Sequence, residues 1–145
     1  MVDRMNKEIL DYRINQSIVN RIDKAIADND NINPYKNYEN RSKLLDIGLT
    51  IIFGNTDFKN KAFNDISCND DNRENFSRTT FTIVNPIAAK GINETSRFEK
   101  AVIIEYALTF VTKELLAGNF KKLMNDYINA GGVLLWILNL KNNHQ

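Results

Sequence analysis

Residues Ile9 to Phe53 read as one strand followed by two helices, a set of elements that cannot bury itself. In Ile9-Leu10-Asp11-Tyr12-Arg13-Ile14-Asn15 the apolar Leu10, Tyr12 and Ile14 alternate with Asp11 and Arg13, the period-2 pattern of a half-buried strand. Behind it Ile18, Val19, Ile22, Ala25 and Ile26 recur at helical spacing, so a helix is expected over about Gln16 to Asp28, with Asn15 or Ser17 as its N-cap. A polar connector, Asn29 to Asn40, turns at Pro34, and a second helix is expected from about Arg41 to Phe53, stopped by Gly54-Asn55. A lone strand leaves its polar edges open, and two short helices do not enclose a core. The segment therefore needs a second copy of itself or a large partner.

The rest of the chain offers apolar surface for such a partnership. Residues 55–78 are polar, with Phe58, Ala62, Phe63 and Ile66 at helical spacing, and read as a linker carrying a turn or two of docked helix. Thr79 to Val84 is β-branched and aromatic, which favours a strand, and Asn85-Pro86 ends it. Ser96-Arg97-Phe98-Glu99 has the form of a capping box and would start a long helix to Leu116, apolar on a wide face that includes Phe98. A further helix is expected over Phe120 to Ala130, and Val133 to Leu140 is a buried helix or strand that periodicity cannot assign. The fold class expected is mainly α: a β-α-α unit over 1–54, a polar linker over 55–78, and a mainly helical domain over 79–145 with one short strand.

One internal similarity bears on the missing partner. Leu44-Leu45-Asp46-Ile47-Gly48-Leu49-Thr50-Ile51-Ile52 and Ile103-Ile104-Glu105-Tyr106-Ala107-Leu108-Thr109-Phe110-Val111 match in residue type position by position. A tandem duplication of the unit would explain this. However, only Pro86 to Thr95 lies between the second strand and its helix, too little for a full first helix. That favours two buried helices of similar composition.

Composition excludes more than it assigns. With 145 residues, the chain makes one ordinary domain or two small ones. Formal net charge is +1, and residues 1–53 balance eight Lys/Arg against eight Asp/Glu, so bulk charge gives no argument for a polyanionic partner. The only cysteine, Cys68, and the only histidine, His144, supply neither a disulfide, nor a Cys/His nucleophile, nor a His metal site, and no Gly-rich loop joins a strand to a helix. No catalytic residues, metal or cofactor are expected. The absence of an apolar leader or a spanning segment, with the lone cysteine, points to a cytoplasmic protein.

The strand and its two helices resemble the ribbon-helix-helix DNA-binding fold, the class of the MetJ and Arc repressors. The resemblance rests on Arg13-Ile14-Asn15 at the strand–helix junction, Arg21-Ile22-Asp23 in the first helix, and Asn40-Arg41-Ser42-Lys43-Leu44-Leu45 at the start of the second. The connector is longer than the family's tight turn, and Asn15 stands where a proline is customary. The resemblance implies an intertwined homodimer whose strands pair antiparallel, with Leu10, Tyr12, Ile14, Ile22, Leu45 and Ile52 in the dimer core. Ile9, Asp11 and Arg13 would then face base edges in the major groove, Arg13 reaching guanine O6 and N7 and Asp11 accepting from cytosine N4. The free amides and side chains of Asn40, Arg41, Ser42 and Lys43 would hold the phosphate backbone. The role implied is sequence-specific binding of double-stranded DNA, foremost as a transcriptional repressor, with plasmid partition, relaxosome or antitoxin roles on the same fold. The C-terminal half would extend the oligomer or take a protein partner. The competing reading is a helical homo-oligomerisation module that binds no DNA.

Overall fold

The computed structural model describes residues 8–29, 37–67 and 76–132. The N-terminal arm, the Pro34 turn, Cys68, Asn69 to Asn72, Val133 to Leu140 and His144 lie outside the described residues. The elements run β1 (Glu8–Asn15), α1 (Gln16–Asp28), α2 (Asn37–Phe53), α3 (Thr56–Ser67), β2 (Phe76–Ile83), α4 (Pro86–Glu94), α5 (Lys100–Leu116) and α6 (Phe120–Asn129). The fold is mainly helical with a two-stranded antiparallel sheet, and it opens in the β-α-α order expected.

The antiparallel partner of β1 is β2 of the same chain, where a second chain's β1 was expected. The strands pair from Glu8 opposite Ile83 to Asn15 opposite Phe76. The expected dimer-core residues are accordingly covered within one chain: Leu10, Ile14, Ile22, Leu45 and Ile52 are buried, and Tyr12 packs at the margin. The order β-α-α occurs twice, as β1-α1-α2 and again as β2-α4-α5. The two units clasp each other, with α1 packed on α5, α4 packed on α2, and α2 and α5 packed together at the centre.

The central helices explain the matched apolar segments. From Leu44 to Ile52 every residue of α2 is buried, as are Ile103, Ile104, Ala107, Leu108 and Val111 of α5. A helix apolar on all sides is one with neighbours on all sides. The two come closest at Gly48, where an added Cβ would lie 2.9 Å from Val111 Cγ2 and 3.1 Å from the Ala107 carbonyl oxygen.

Several boundaries differ from the sequence reading: α2 starts at Asn37 where Arg41 was expected, and β2 at Phe76 where Thr79 was expected. Residues 86–94 form α4: Asn85 caps it, its side chain accepting from the Ile87 amide at 2.8 Å, and Pro86 starts the first turn, where a missing N–H is harmless. Nine residues suffice because α4 packs on α2, with Gly91 letting the Phe53 ring lie where a Cβ would stand. Helix α5 begins at Lys100, not Ser96. The Ser96 hydroxyl donates to the Glu99 carboxylate at 3.0 Å and caps no amide, and Phe98 stands in the turn, 89% exposed. Residues 55–78 hold the three turns of α3 and the start of β2. Phe58 and Phe63 of α3 dock on the core, Phe58 edge-on to Phe110 at 4.9 Å and Phe63 tilted against Phe53 at 6.1 Å. Helix α6 follows the expectation for Phe120 to Ala130 and buries Leu123 and Tyr127.

Candidate nucleic-acid interface

The face of the ribbon turned away from the helices is built by strand alternation. Leu10, Ile14, Phe81 and Ile83 point into the core, so Ile9, Asp11 and Arg13 on β1 and Arg78, Thr80 and Thr82 on β2 point out. The register sets them in three cross-strand pairs: Ile9 opposite Thr82, Asp11 opposite Thr80, and Arg13 opposite Arg78. Ile9, Asp11, Arg13 and Arg78 are exposed, and the two threonines are half-buried.

Two arginines directly opposite on one sheet face repel. The repulsion is partly relieved on one side: Arg78 Nε donates to both oxygens of Asp11 at 3.0 Å, and its terminal nitrogen lies 3.0 Å from Asp11 Oδ2. This bond holds the Asp11 carboxyl below the usual carboxylate range and raises Arg78 further. Arg13 makes no ion pair among the described residues.

Acids and a hydroxyl from the two central helices take up backbone amides at one end of each strand of the ribbon, where paired or covered polar groups blunt an open edge. On the β2 side, Ser42 Oγ of α2 accepts from the Thr82 amide at 2.9 Å, and Asp46 Oδ2 accepts from the amides of Val84 and Asn85 at 2.9 and 3.1 Å. On the β1 side, Glu105 Oε2 of α5 accepts from the Asn15 amide at 2.8 Å. Asn15 in turn caps α1, its side chain accepting from the Ser17 amide at 3.0 Å. Asp46 and Glu105 occupy the same place in the two matched segments. Sequence reasoning aligned them without assigning them a role, and an acid at the same position of two apolar helices was the available signal.

The residues expected at the phosphate backbone are placed otherwise. Because α2 starts at Asn37, the amides of Arg41, Ser42 and Lys43 lie in the hydrogen-bonded body of the helix, past its free end. Asn40 and Ser42 are buried, so neither side chain reaches an external phosphate. Arg41 is forked onto Asp23 of α1 with two bonds of 2.7 Å, which tie α1 to α2 and raise the guanidinium's affinity for its proton. Lys43 is half-buried on the same turn. The first turn of α5 is the more open one, with no side-chain cap at Glu99, Arg97 exposed and Lys100 half-buried.

A concavity of about 400 Å³ lies between α3 and α5, lined by Phe58, Lys61, Asp65, Tyr106, Phe110 and Lys113 among others. Three of its polar groups are joined: Asp65 Oδ2 accepts from Lys61 at 2.9 Å and from the Tyr106 hydroxyl at 2.8 Å. Among the described residues no group of His, Cys, Asp or Glu is placed to hold a metal ion, and no helix is long and apolar enough to cross a membrane. No protein-family model, no curated protein and no solved structure matches this chain, so its own geometry carries the functional reading.

Proposed function

We propose that the chain is a sequence-specific double-stranded DNA-binding protein that lays the outer face of the β1–β2 ribbon in the major groove, as ribbon-helix-helix proteins do. The supporting observation is the ribbon's exposed face, with the Arg13–Arg78 pair standing on it and a β-α-α unit behind each strand. A two-stranded ribbon has the width of the major groove, where each base pair shows a distinct set of donors, acceptors and methyl groups. With Arg78 held by Asp11, the open guanidinium of Arg13 is the group that favours an acceptor-rich surface, and guanine O6 and N7 match its fork. The near-neutral net charge calls for few phosphate contacts and a correspondingly shallow salt dependence. Transcriptional repression is the role this fold most often serves. Partition, relaxosome and antitoxin roles, and a protein partner on the C-terminal half, belong to the same proposal.

The competing reading, a protein-interaction module, is favoured by Ile9, which stands 69% exposed on the same face. The two separate on Arg13→Ala. On the DNA reading, the exposed substitution leaves the helical content and melting unchanged and lowers affinity for a selected duplex by at least about fivefold. Unchanged affinity, or no duplex affinity in the parent protein, removes the ribbon from the role. The slope of log affinity against log salt then counts the phosphates engaged.

A further inference from the structure

The two ends of the outer face differ chemically. One end carries both arginines, Arg13 opposite Arg78; the other carries Ile9 opposite Thr82; the Asp11–Thr80 pair lies between them. A ribbon formed by two identical chains has identical ends by symmetry. Here both strands belong to one chain, so nothing equates the ends.

We infer that the chain reads a directional, non-palindromic duplex, one chain per site, with guanine under the Arg13 end and thymine under the Ile9 end. The inference rests on the proposal that this face enters the major groove. Arg78 is forked onto Asp11, which leaves Arg13 as the arginine whose fork is open to guanine O6 and N7. At the other end the exposed Ile9 side chain is apolar and offers no hydrogen bond. The group in the major groove that such a surface recognises is the thymine 5-methyl. From residue 9 to residue 13 the strand advances about 13 Å, roughly four base steps of duplex, so both contacts fall within one short site. Thr80 and Thr82, with hydroxyls able to donate or accept, complete the reading face as specificity-determining residues on β2.

The test is enrichment of a random duplex library on the full chain, followed by anisotropy titrations of the enriched duplex and native mass spectrometry of the complex. The expected product is a motif without dyad symmetry, G·C-bearing at one end and A·T-bearing at the other, in a one-to-one complex. Replacing thymine by uracil at the A·T end removes only the methyl group and weakens the parent protein severalfold, while Ile9→Ala binds both duplexes alike. Arg13→Ala loses between about five- and 150-fold of its discrimination at the G·C end alone. Both side chains are exposed, and unchanged circular dichroism confirms that each variant folds. An inverted repeat bound by two chains, or a uracil duplex that binds as well as its thymine parent, overturns the directional reading and leaves DNA binding standing. Failure of any duplex sequence to enrich overturns both.

Discussion

The two β-α-α units solve one packing problem with unequal means. In each, a strand runs through an asparagine into a short helix, Asn15 into α1 and Asn85 into α4, and the asparagine side chain caps that helix. In each, an acid on the long central helix closes the end of the opposite unit's strand. Asp46 gathers two amides on the β2 side, however, whereas Glu105 takes one on the β1 side. The first helices differ in length, thirteen residues in α1 against nine in α4. Helix α1 is tied to α2 by the Asp23–Arg41 fork, while Asn85, at the start of α4, donates to the Gly131 carbonyl at 3.2 Å. The central helices diverge too: where α2 has Ile47, α5 has Tyr106, whose hydroxyl anchors α3 through Asp65. Equivalent positions thus keep their place in the fold and exchange their chemistry, so the contacts on the central axis should tolerate least.

The largest effect is expected at that axis. Gly48→Val sets a branched Cβ against Val111 and the Ala107 carbonyl, and should destabilise the protein by about 3 kcal/mol or more in urea denaturation. A neutral result would break the picture of two units meeting at Gly48. Next, Asp46→Ala strands two buried amides and should lose about 3 kcal/mol, while Glu105→Ala strands one and should lose about half as much. Equal losses would show that the capping is not asymmetric. Arg41→Ala should lower stability by about 1 kcal/mol through the Asp23 fork and leave the salt slope of DNA binding unchanged, because that guanidinium is spent inside the protein. A reduced slope would restore Arg41 to the phosphate backbone.

The smallest effects are those of pH. Asp11 and Asp65 are held below their ordinary values by bonds to Arg78 and Lys61, so their stabilisation is present above the usual carboxylate pKa and fades as pH falls through the lowered one. Tyr106 is pushed above its ordinary 10.0, first by burial and then by its bond to Asp65. Its contribution is complete below pH 10 and fades as pH rises through the higher value. Melting curves of Tyr106→Phe should lack that alkaline decline, and its persistence would locate the titration elsewhere.

Much of this arrangement was readable in the residues, and what was not has physical reasons. The Leu10, Tyr12 and Ile14 alternation and the spacing of Val19, Ile22 and Ile26 announced β1 and α1 because each has one buried face. The partner of β1 was hidden because pairing depends on a register between residues some seventy positions apart, which no local pattern encodes. The stretch Pro86 to Thr95 is too short for a full first helix on length alone, and the packing of α4 on α2 is what lets nine residues serve. Asn40 and Ser42 were expected to hold phosphate at a helix start, and side chains of that type also bond to a neighbouring backbone. Ser42 spends its oxygen on the Thr82 amide of another element. Of the candidate site, Ile9, Asp11 and Arg13 stand on the open face expected for them, and the β2 half of that face went unseen with β2's pairing.

A ribbon closed within one chain also alters how its surface can change. In a symmetric pair of chains every substitution is made twice, so a gain at one half-site is coupled to whatever the same residue does at the other. Here Arg13 and Arg78 are encoded separately, and each of the six outward positions can be altered once. Closure of the ribbon is likewise a first-order event, independent of protein concentration, so a few copies per cell would hold the outer face as completely assembled as many.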